Sequence, residues 1–216
     1  KLHHSDDPAK FAIFMRRGEA LYALATLVDD LEGSDGLGGS NWASQHRETA
    51  RTDGIDFRPF TDDRTSGKTY LQAPRGNYGV AYAPTLTEMK WLTESSVPVT
   101  FGRGGAIASA FSGSIGQIAD EIEAVLLSGK ATGKQLQDIG AAIHPAKIPG
   151  QSVELAVLRD FLIGTGDTSK DAKSRRSTIW LILDLYRKGV APGDLNDLRR
   201  AFYARRLPNG HDYQPP

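Results

Sequence analysis

The sequence contains no cysteine, and only two of its 216 residues are methionine. The absence of cysteine excludes disulfide scaffolds, thiolate zinc sites, Fe–S clusters and cysteine nucleophiles. The chain also has no net charge, because 26 Lys and Arg side chains balance 26 Asp and Glu side chains. This balance argues against a histone-like nucleic-acid binder, whose affinity requires a large excess of positive charge, but it is compatible with a local basic patch.

Long apolar runs are missing as well. No stretch approaches the roughly 18 consecutive apolar residues of a membrane-spanning helix. Hydrophobic residues are 39% and charged residues 24% of the chain, which is close to the average of globular proteins. We therefore expect a cytoplasmic protein without a membrane partner. Because the chain starts at Lys1 rather than methionine and stops at two prolines, we also expect it to be a fragment of a longer, prokaryotic protein.

Apolar residues recur at steps of three and four along much of the chain, which predicts amphipathic helices. The first is expected to begin at Pro8, with Asp6 or Asp7 as its cap, and to end before Gly33. After residue 113 the pattern predicts five more helices, at 116–127, 132–143, 152–164, 172–188 and from Pro192 onward. The fourth of these is so rich in apolar residues between Ile179 and Tyr186 that it is expected to lie at the centre of a bundle.

The first half is less regular. A short helix is predicted over 42–50, and residues 51–76 read as irregular chain with short strands around 55–60 and 68–72. A division at Ser112-Gly113-Ser114 would give two subdomains, 1–113 and 114–216. The predicted fold class is mainly α, with a mixed N-terminal half that carries a small β element and a helical bundle in the C-terminal half.

The β element lies within residues 77–111. A predicted helix at 83–91 is followed by Leu92-Thr93, a turn, a strand at 97–101, Gly102 and a second helix from about residue 106. This order resembles the later part of a winged-helix module. The resemblance implies that a wing ends at Gly102 and that Arg103 reaches a DNA phosphate or the minor groove.

The glycines of the segment Gly102-Arg103-Gly104-Gly105 allow a second interpretation. A strand followed by glycines and a helix N-terminus can bind phosphate. However, neither the P-loop pattern nor the dinucleotide-binding pattern is present. A tight turn that requires a positive φ explains the glycines equally well.

Positive charge is concentrated near the end of the chain. Residues 164–206 hold 10 basic and 5 acidic side chains. The basic residues gather on two predicted helices, as Lys170, Lys173, Arg175 and Arg176 and as Arg199, Arg200, Arg205 and Arg206. Such a face can follow a phosphate backbone or meet an acidic partner. The residues predicted to contact nucleic acid are Arg103, Lys173, Arg175, Arg176, Arg199 and Arg200.

Aromatic residues are interleaved with this basic stretch. They are Trp180, Tyr186, Phe202 and Tyr203, and their spacing favours burial over stacking on bases.

Catalytic patterns are weak. Asp53, Asp56, Asp62 and Asp63 cluster in the irregular segment and could serve a Mg²⁺-dependent nuclease. Such nucleases usually carry an acidic residue two places before a lysine. Here Lys68 is the candidate lysine, and Ser66 occupies the position of the acidic residue. The five histidines are scattered, and no Gly-x-Ser-x-Gly elbow occurs. We expect no structural metal site and no cofactor.

Three functions remain after this reading. The first is a non-catalytic nucleic-acid-associated module that binds the phosphate backbone through a basic helical face. The second is a scaffold that docks a protein partner or the remainder of its own chain. The third is a metal-dependent nuclease that uses the four loop aspartates.

Overall fold

The computed structural model describes residues 7–28, 38–65, 72–144, 152–164, 166–190 and 195–215. Their secondary structure is predominantly helical, so the predicted mainly α class is confirmed. The chain divides into two compact units, residues 1–155 and 156–216. Within the described ranges, every helix is too short or too polar to cross a bilayer.

The bounds of the described elements follow chain order. The first four helices are α1 (Pro8–Leu27), α2 (Ser40–Asp53), α3 (Arg58–Thr61) and α4 (Ala83–Glu88), the last preceded by a π-helical turn over Tyr78–Tyr82. The next three are α5 (Arg103–Ile115), α6 (Ile118–Ser128) and α7 (Gly133–Ile143). The last three are α8 (Val153–Ile163), α9 (Lys170–Arg187) and α10 (Leu195–Ala204). Two short strands, β1 (Ile55–Asp56) and β2 (Lys130–Ala131), pair antiparallel.

The core of the first unit is built around α1. The helix begins as predicted, since Pro8 occupies its first turn and the Asp7 side chain accepts a hydrogen bond from the Ala9 N–H. Its second half is buried on all sides, from Ala20 to Leu27 except Tyr22. Helices α2, α3, α6 and α7 pack against it. Asp29, Asp30 and Glu32, which precede the predicted end of this helix at Gly33, lie outside the described residues.

Two arginines in the middle of α1 are buried and bonded to distant parts of the chain. The Arg17 guanidinium donates to both carboxylate oxygens of Asp62, at 2.9 and 2.5 Å, and to the Leu126 carbonyl at 2.6 Å. Arg16 donates to the carbonyls of Thr61 and Pro74. Because carbonyls near a helix end and in loops lack backbone partners, these two side chains satisfy groups that burial would otherwise penalise.

Helix α7 is held close to its neighbours by two glycines on one face. Thr132 and Gln135 form the capping box that starts it. A Cβ at Gly140 would lie 2.1 Å from the Ala25 carbonyl oxygen of α1, and a Cβ at Gly133 would lie 2.0 Å from the Arg51 carbonyl oxygen of α2. Both positions therefore require glycine for the observed helix spacing.

The stretch expected to be irregular, 51–76, is partly helical. The strand predicted around 55–60 is reduced to β1, because α3 begins at Arg58. Residues 68–71 of the strand predicted around 68–72 lie outside the described residues. Helix α2 is longer than the predicted 42–50 and ends at Asp53. The next residue, Gly54, has a φ of 80° and lies close to the Ala131 carbonyl oxygen.

The predicted wing is a narrow loop with a single bridge. Leu92 and Thr100 form an isolated antiparallel bridge, the Thr93 N–H donates to the Val99 carbonyl at 3.0 Å, and the Phe101 N–H donates to the Trp91 carbonyl at 2.7 Å. No continuous strand forms over the predicted range 97–101. Membership of the winged-helix class therefore stays a prediction.

The second unit has a small core of its own. Its buried residues are Leu185, Val190, Ala201 and Tyr213. The Pro208-Asn209-Gly210 turn joins Arg206 to Asp212 in an antiparallel bridge, with a φ of 82° at Gly210. The Tyr213 hydroxyl, 3.2 Å from the Asp184 carboxylate, ties this C-terminal turn to α9.

Two expectations about organisation differ from the structure. The boundary predicted at 113/114 falls inside α5, and α6 and α7 belong to the first unit, whereas the observed division comes at 155/156. The central position predicted for 172–188 is wrong, because α9 buries only Ala172 and Leu185 completely. The central helix of the larger unit is α1, where small alanines allow neighbours to approach from several sides.

Candidate nucleic-acid interface

Arg175 and Arg176 lie on the second turn of α9 and face the end of α8. The Arg175 Nε donates to the Phe161 carbonyl at 3.2 Å, and its guanidinium carbon is 4.0 Å from the centre of the Phe161 ring. Arg176 donates to the carbonyls of Gly164 and Asp167, both at 2.8 Å. Cations at the C-terminal end of a helix satisfy its last carbonyls and complement its dipole. Both side chains are half-buried and hold the connection between α8 and α9.

The other predicted cations of the second unit are exposed. Lys173 lies on the first turn of α9, and Arg199 and Arg200 lie on α10. The Arg200 guanidinium is 3.8 Å from the Asp197 carboxylate, an exposed pair that contributes little to stability. Lys170 and Arg205 are exposed as well. These five cations of the second unit are exposed to solvent, whereas Arg175 and Arg176 stabilise the fold.

Arg103 belongs to the first unit, where it is the first residue of α5 and half-buried. Gly102 has the positive φ, 52°, that the sequence predicted for a tight turn. A Cβ at Gly104 would lie 2.2 Å from the Trp91 carbonyl oxygen, and the Gly104 N–H donates to the Phe101 carbonyl at 2.9 Å. Backbone geometry therefore accounts for these two glycines.

The aromatic residues of α9 and α10 are exposed, so the prediction that they are buried is wrong. Tyr203 is 89% exposed and Trp180 is 57% exposed, and Tyr186 and Phe202 are each more than a third exposed. The core of the second unit is too small to cover both helices, since it uses Leu181, Leu185 and Leu198 instead. Large exposed aromatics are uncommon on a monomer surface and mark interaction sites when they cluster.

One surface concavity of the second unit is formed by α10 alone. It measures about 320 Å³, and its walls are Leu195, Leu198, Arg199, Phe202 and Tyr203. Leu198 and Arg199 follow Leu195 by three and four positions, and Phe202 and Tyr203 follow Arg199 by three and four. All five side chains therefore share one face of the helix. Sequence periodicity shows that the face is apolar but not that it is left uncovered.

The two units carry opposite charge. Residues 156–216 contain 11 basic and 7 acidic side chains, a net charge of +4. Residues 1–155 contain 15 basic and 19 acidic side chains, a net charge of −4. A chain that is neutral as a whole therefore includes a compact unit with a net positive charge.

The four loop aspartates do not meet in one site. Asp62 binds Arg17, Asp56 binds Arg58 at 2.5 Å, and Asp63 accepts bonds from the Thr65 N–H and hydroxyl. Asp53 and Asp56 line a shallow concavity of about 350 Å³ beside Lys130. Among the described residues, no three His, Cys, Asp or Glu side chains are placed to hold one metal ion.

The Asp56 carboxylate gives a prediction about pH. The hydrogen bond from the Arg58 side chain lowers the Asp56 pKa from 3.8 to about 2, against a smaller opposing effect of burial. Ionised Asp56 therefore stabilises the fold above about pH 4, and this contribution is lost as the pH falls toward 2. We expect Asp56→Asn to lower the melting temperature at about pH 7 but not near pH 2. A difference that persists unchanged at the lower pH would contradict this assignment.

Comparison with known proteins gives no match for this chain: no family model, no curated protein and no solved structure is similar to it.

Proposed function

We propose that this chain is a non-catalytic nucleic-acid-associated module whose second unit binds the phosphate backbone. The observation that carries the proposal is the net charge of +4 on residues 156–216, with Lys173, Arg199 and Arg200 exposed on two helices. Phosphate contacts from Lys and Arg supply most of the sequence-independent affinity of such proteins. Arg175 and Arg176 act as positioning residues, because they fix the start of α9 that presents Lys173.

Binding should be strongly dependent on salt. With Lys173, Arg199 and Arg200 each neutralising one phosphate, the affinity should fall roughly twenty- to fortyfold between about 50 and 200 mM salt. Fluorescence anisotropy with labelled DNA and RNA measures this slope directly. If neither nucleic acid binds at the lower salt concentration, the proposal is wrong.

A matched pair of variants assigns the effect to α10. Arg199→Gln with Arg200→Gln should weaken binding roughly tenfold or more. The slope of log affinity against log salt concentration should decrease by the amount expected for about two lost phosphate contacts. Arg47→Gln with Arg51→Gln removes the same charge from exposed or half-buried positions on α2 and should leave binding nearly unchanged. Equal losses in both double variants would show that net charge, rather than this helix, determines the affinity.

The exposed apolar residues favour a second candidate, a scaffold that docks a protein partner. Trp180, Leu183 and Leu195 are all more than 40% exposed, and aromatic residues and arginine are enriched at protein interfaces. The scaffold interpretation requires that a defined protein partner bind these residues and that nucleic acid not bind them. Leu183→Asp, on α9 and outside the concavity of α10, should weaken binding of a protein partner and leave nucleic-acid binding nearly unchanged, so this variant and the salt titration together separate the two functions.

A further inference from the structure

The face of α10 that forms the concavity combines one cation with two aromatic rings. Arg199 follows Leu195 by one helical turn, and Phe202 and Tyr203 follow Arg199 by a further turn. Tyr203 is the most exposed aromatic residue among those described on the second unit, at 89%. Its side chain is therefore accessible to a flat ligand.

We infer that this face binds unpaired bases of single-stranded nucleic acid, with Tyr203 and Phe202 as stacking platforms and Arg199 as the phosphate or cation–π contact. The inference rests on the proposed function and names the form of nucleic acid that the same unit takes. Proteins that bind single strands combine a positive groove with aromatic side chains on which successive bases stack. In a duplex the faces of the bases are already covered by their neighbours, so exposed rings gain contacts only from single strands or unpaired loops.

The charge around the concavity favours nucleic acid over the other occupants of an apolar helix face. Arg199 lies in its wall, and Arg200 and Arg205 are exposed on the same helix and directly after it. Asp197 is the one acidic residue of α10 and is paired with Arg200. A volume of about 320 Å³ is at the lower end of small-ligand sites, which suits a planar ring better than a second helix.

The experiment compares one sequence in three forms: single-stranded DNA and RNA of about 12 nucleotides, and the DNA duplex, each at about 50 mM salt. The expected result is that a single strand binds at least tenfold more tightly than the duplex. The DNA and RNA arms show which backbone is preferred. Equal affinity for the duplex and both single strands would overturn the inference while leaving the proposed function intact.

Variants at Tyr203 test the stacking contact itself. Tyr203→Ala should weaken single-strand binding roughly 5- to 150-fold without changing the salt slope, because the lost contact is uncharged. Tyr203→Phe keeps the ring and should bind as the natural chain does. Tyr82→Ala removes a ring that is 55% exposed on the first unit and should have no effect. Circular dichroism confirms that each variant keeps its helices.

The remaining outcomes also decide the question. If Tyr203→Ala retains full affinity for single strands, the bases do not stack on this ring and the inference is wrong. If light scattering shows that the natural chain is a dimer and that Tyr203→Ala is a monomer, the face binds a second copy instead. If no nucleic acid binds at low salt, the proposed function fails first, and this inference fails with it.

Discussion

Replacing Arg17 with alanine is expected to lower the free energy of unfolding of the first unit by about 3 kcal/mol or more. Arg17 is 8% exposed, and its guanidinium makes a two-pronged ion pair with the half-buried Asp62, at 2.9 and 2.5 Å. The variant leaves the Asp62 carboxylate without its cation and the Leu126 and Leu127 carbonyls without this donor. Breaking a buried pair costs more than the pair contributes, because the remaining charge is still desolvated.

Urea unfolding followed by tryptophan fluorescence measures the loss. Trp180→Phe restricts the signal to Trp42 and Trp91, which both lie in the first unit. Arg51→Ala is the matched control, since Arg51 pairs with Glu48 at 3.1 Å and both side chains are more than half exposed. That exposed pair should contribute less than about 1 kcal/mol. Similar losses in the two variants would contradict a structural role for Arg17 in the core.

A second large effect is expected at Gly140, where alanine should destabilise the first unit by about 1–3 kcal/mol or more. The added Cβ would lie 2.1 Å from the Ala25 carbonyl oxygen and 3.0 Å from its carbon, so α7 must move away from α1. This displacement opens the packing around Leu136 and Ile139, which are fully buried next to the glycine. A larger side chain such as valine should be worse.

Gly113 provides the control for this substitution. It also lies inside a helix, and no atom of the described residues is within 4 Å of the Cβ that alanine would add. Gly113→Ala should therefore stabilise the chain by about 0.5–1 kcal/mol, through helix propensity alone. The difference between the two variants isolates the steric clash. If Gly140→Ala stabilised the protein as Gly113→Ala does, the close contact between α1 and α7 would be absent in solution.

The helices were predictable because their signals are local. The range 132–143 differs from α7 by one residue at its start, since Thr132 and Gln135 mark the first turn in the sequence itself. The range 152–164 agrees equally well with α8. Caps, periodicity and terminal glycines lie within a few residues of the ends they determine.

The arrangement of those helices was not predictable in the same way. Arg16 and Arg17 look like solvent-exposed charges in the sequence, because their carbonyl and carboxylate partners lie at least 45 residues away. The apolar density of 179–186 suggested a central helix, but the neighbours that would cover Trp180 and Leu183 are not supplied by the small second unit. The burial of a helix depends on the elements that surround it, whereas hydrophobic periodicity shows only which face of the helix is apolar and which is polar.

The candidate interface shows the same limit. Composition shows the concentration of positive charge on residues 164–206, but it could not separate Arg175 and Arg176, which bind backbone carbonyls, from the exposed Lys173 and Arg199. The distinction arises because the end of α8 presents its carbonyls to one side of α9. Composition also could not show that the Tyr203 side chain is exposed. This exposure is the feature that favours binding of unpaired bases.

The packing of α1 against α7 has a consequence for synthesis on the ribosome. The apolar surface of the first helix is complete once residue 27 has emerged, but its partner ends at residue 143, 116 residues later. At the usual rate of translation this interval lasts about 6–23 s. During that time Leu21, Leu24 and Leu27 lack the contacts that α7 later supplies, and apolar surface left exposed in this way is prone to aggregation.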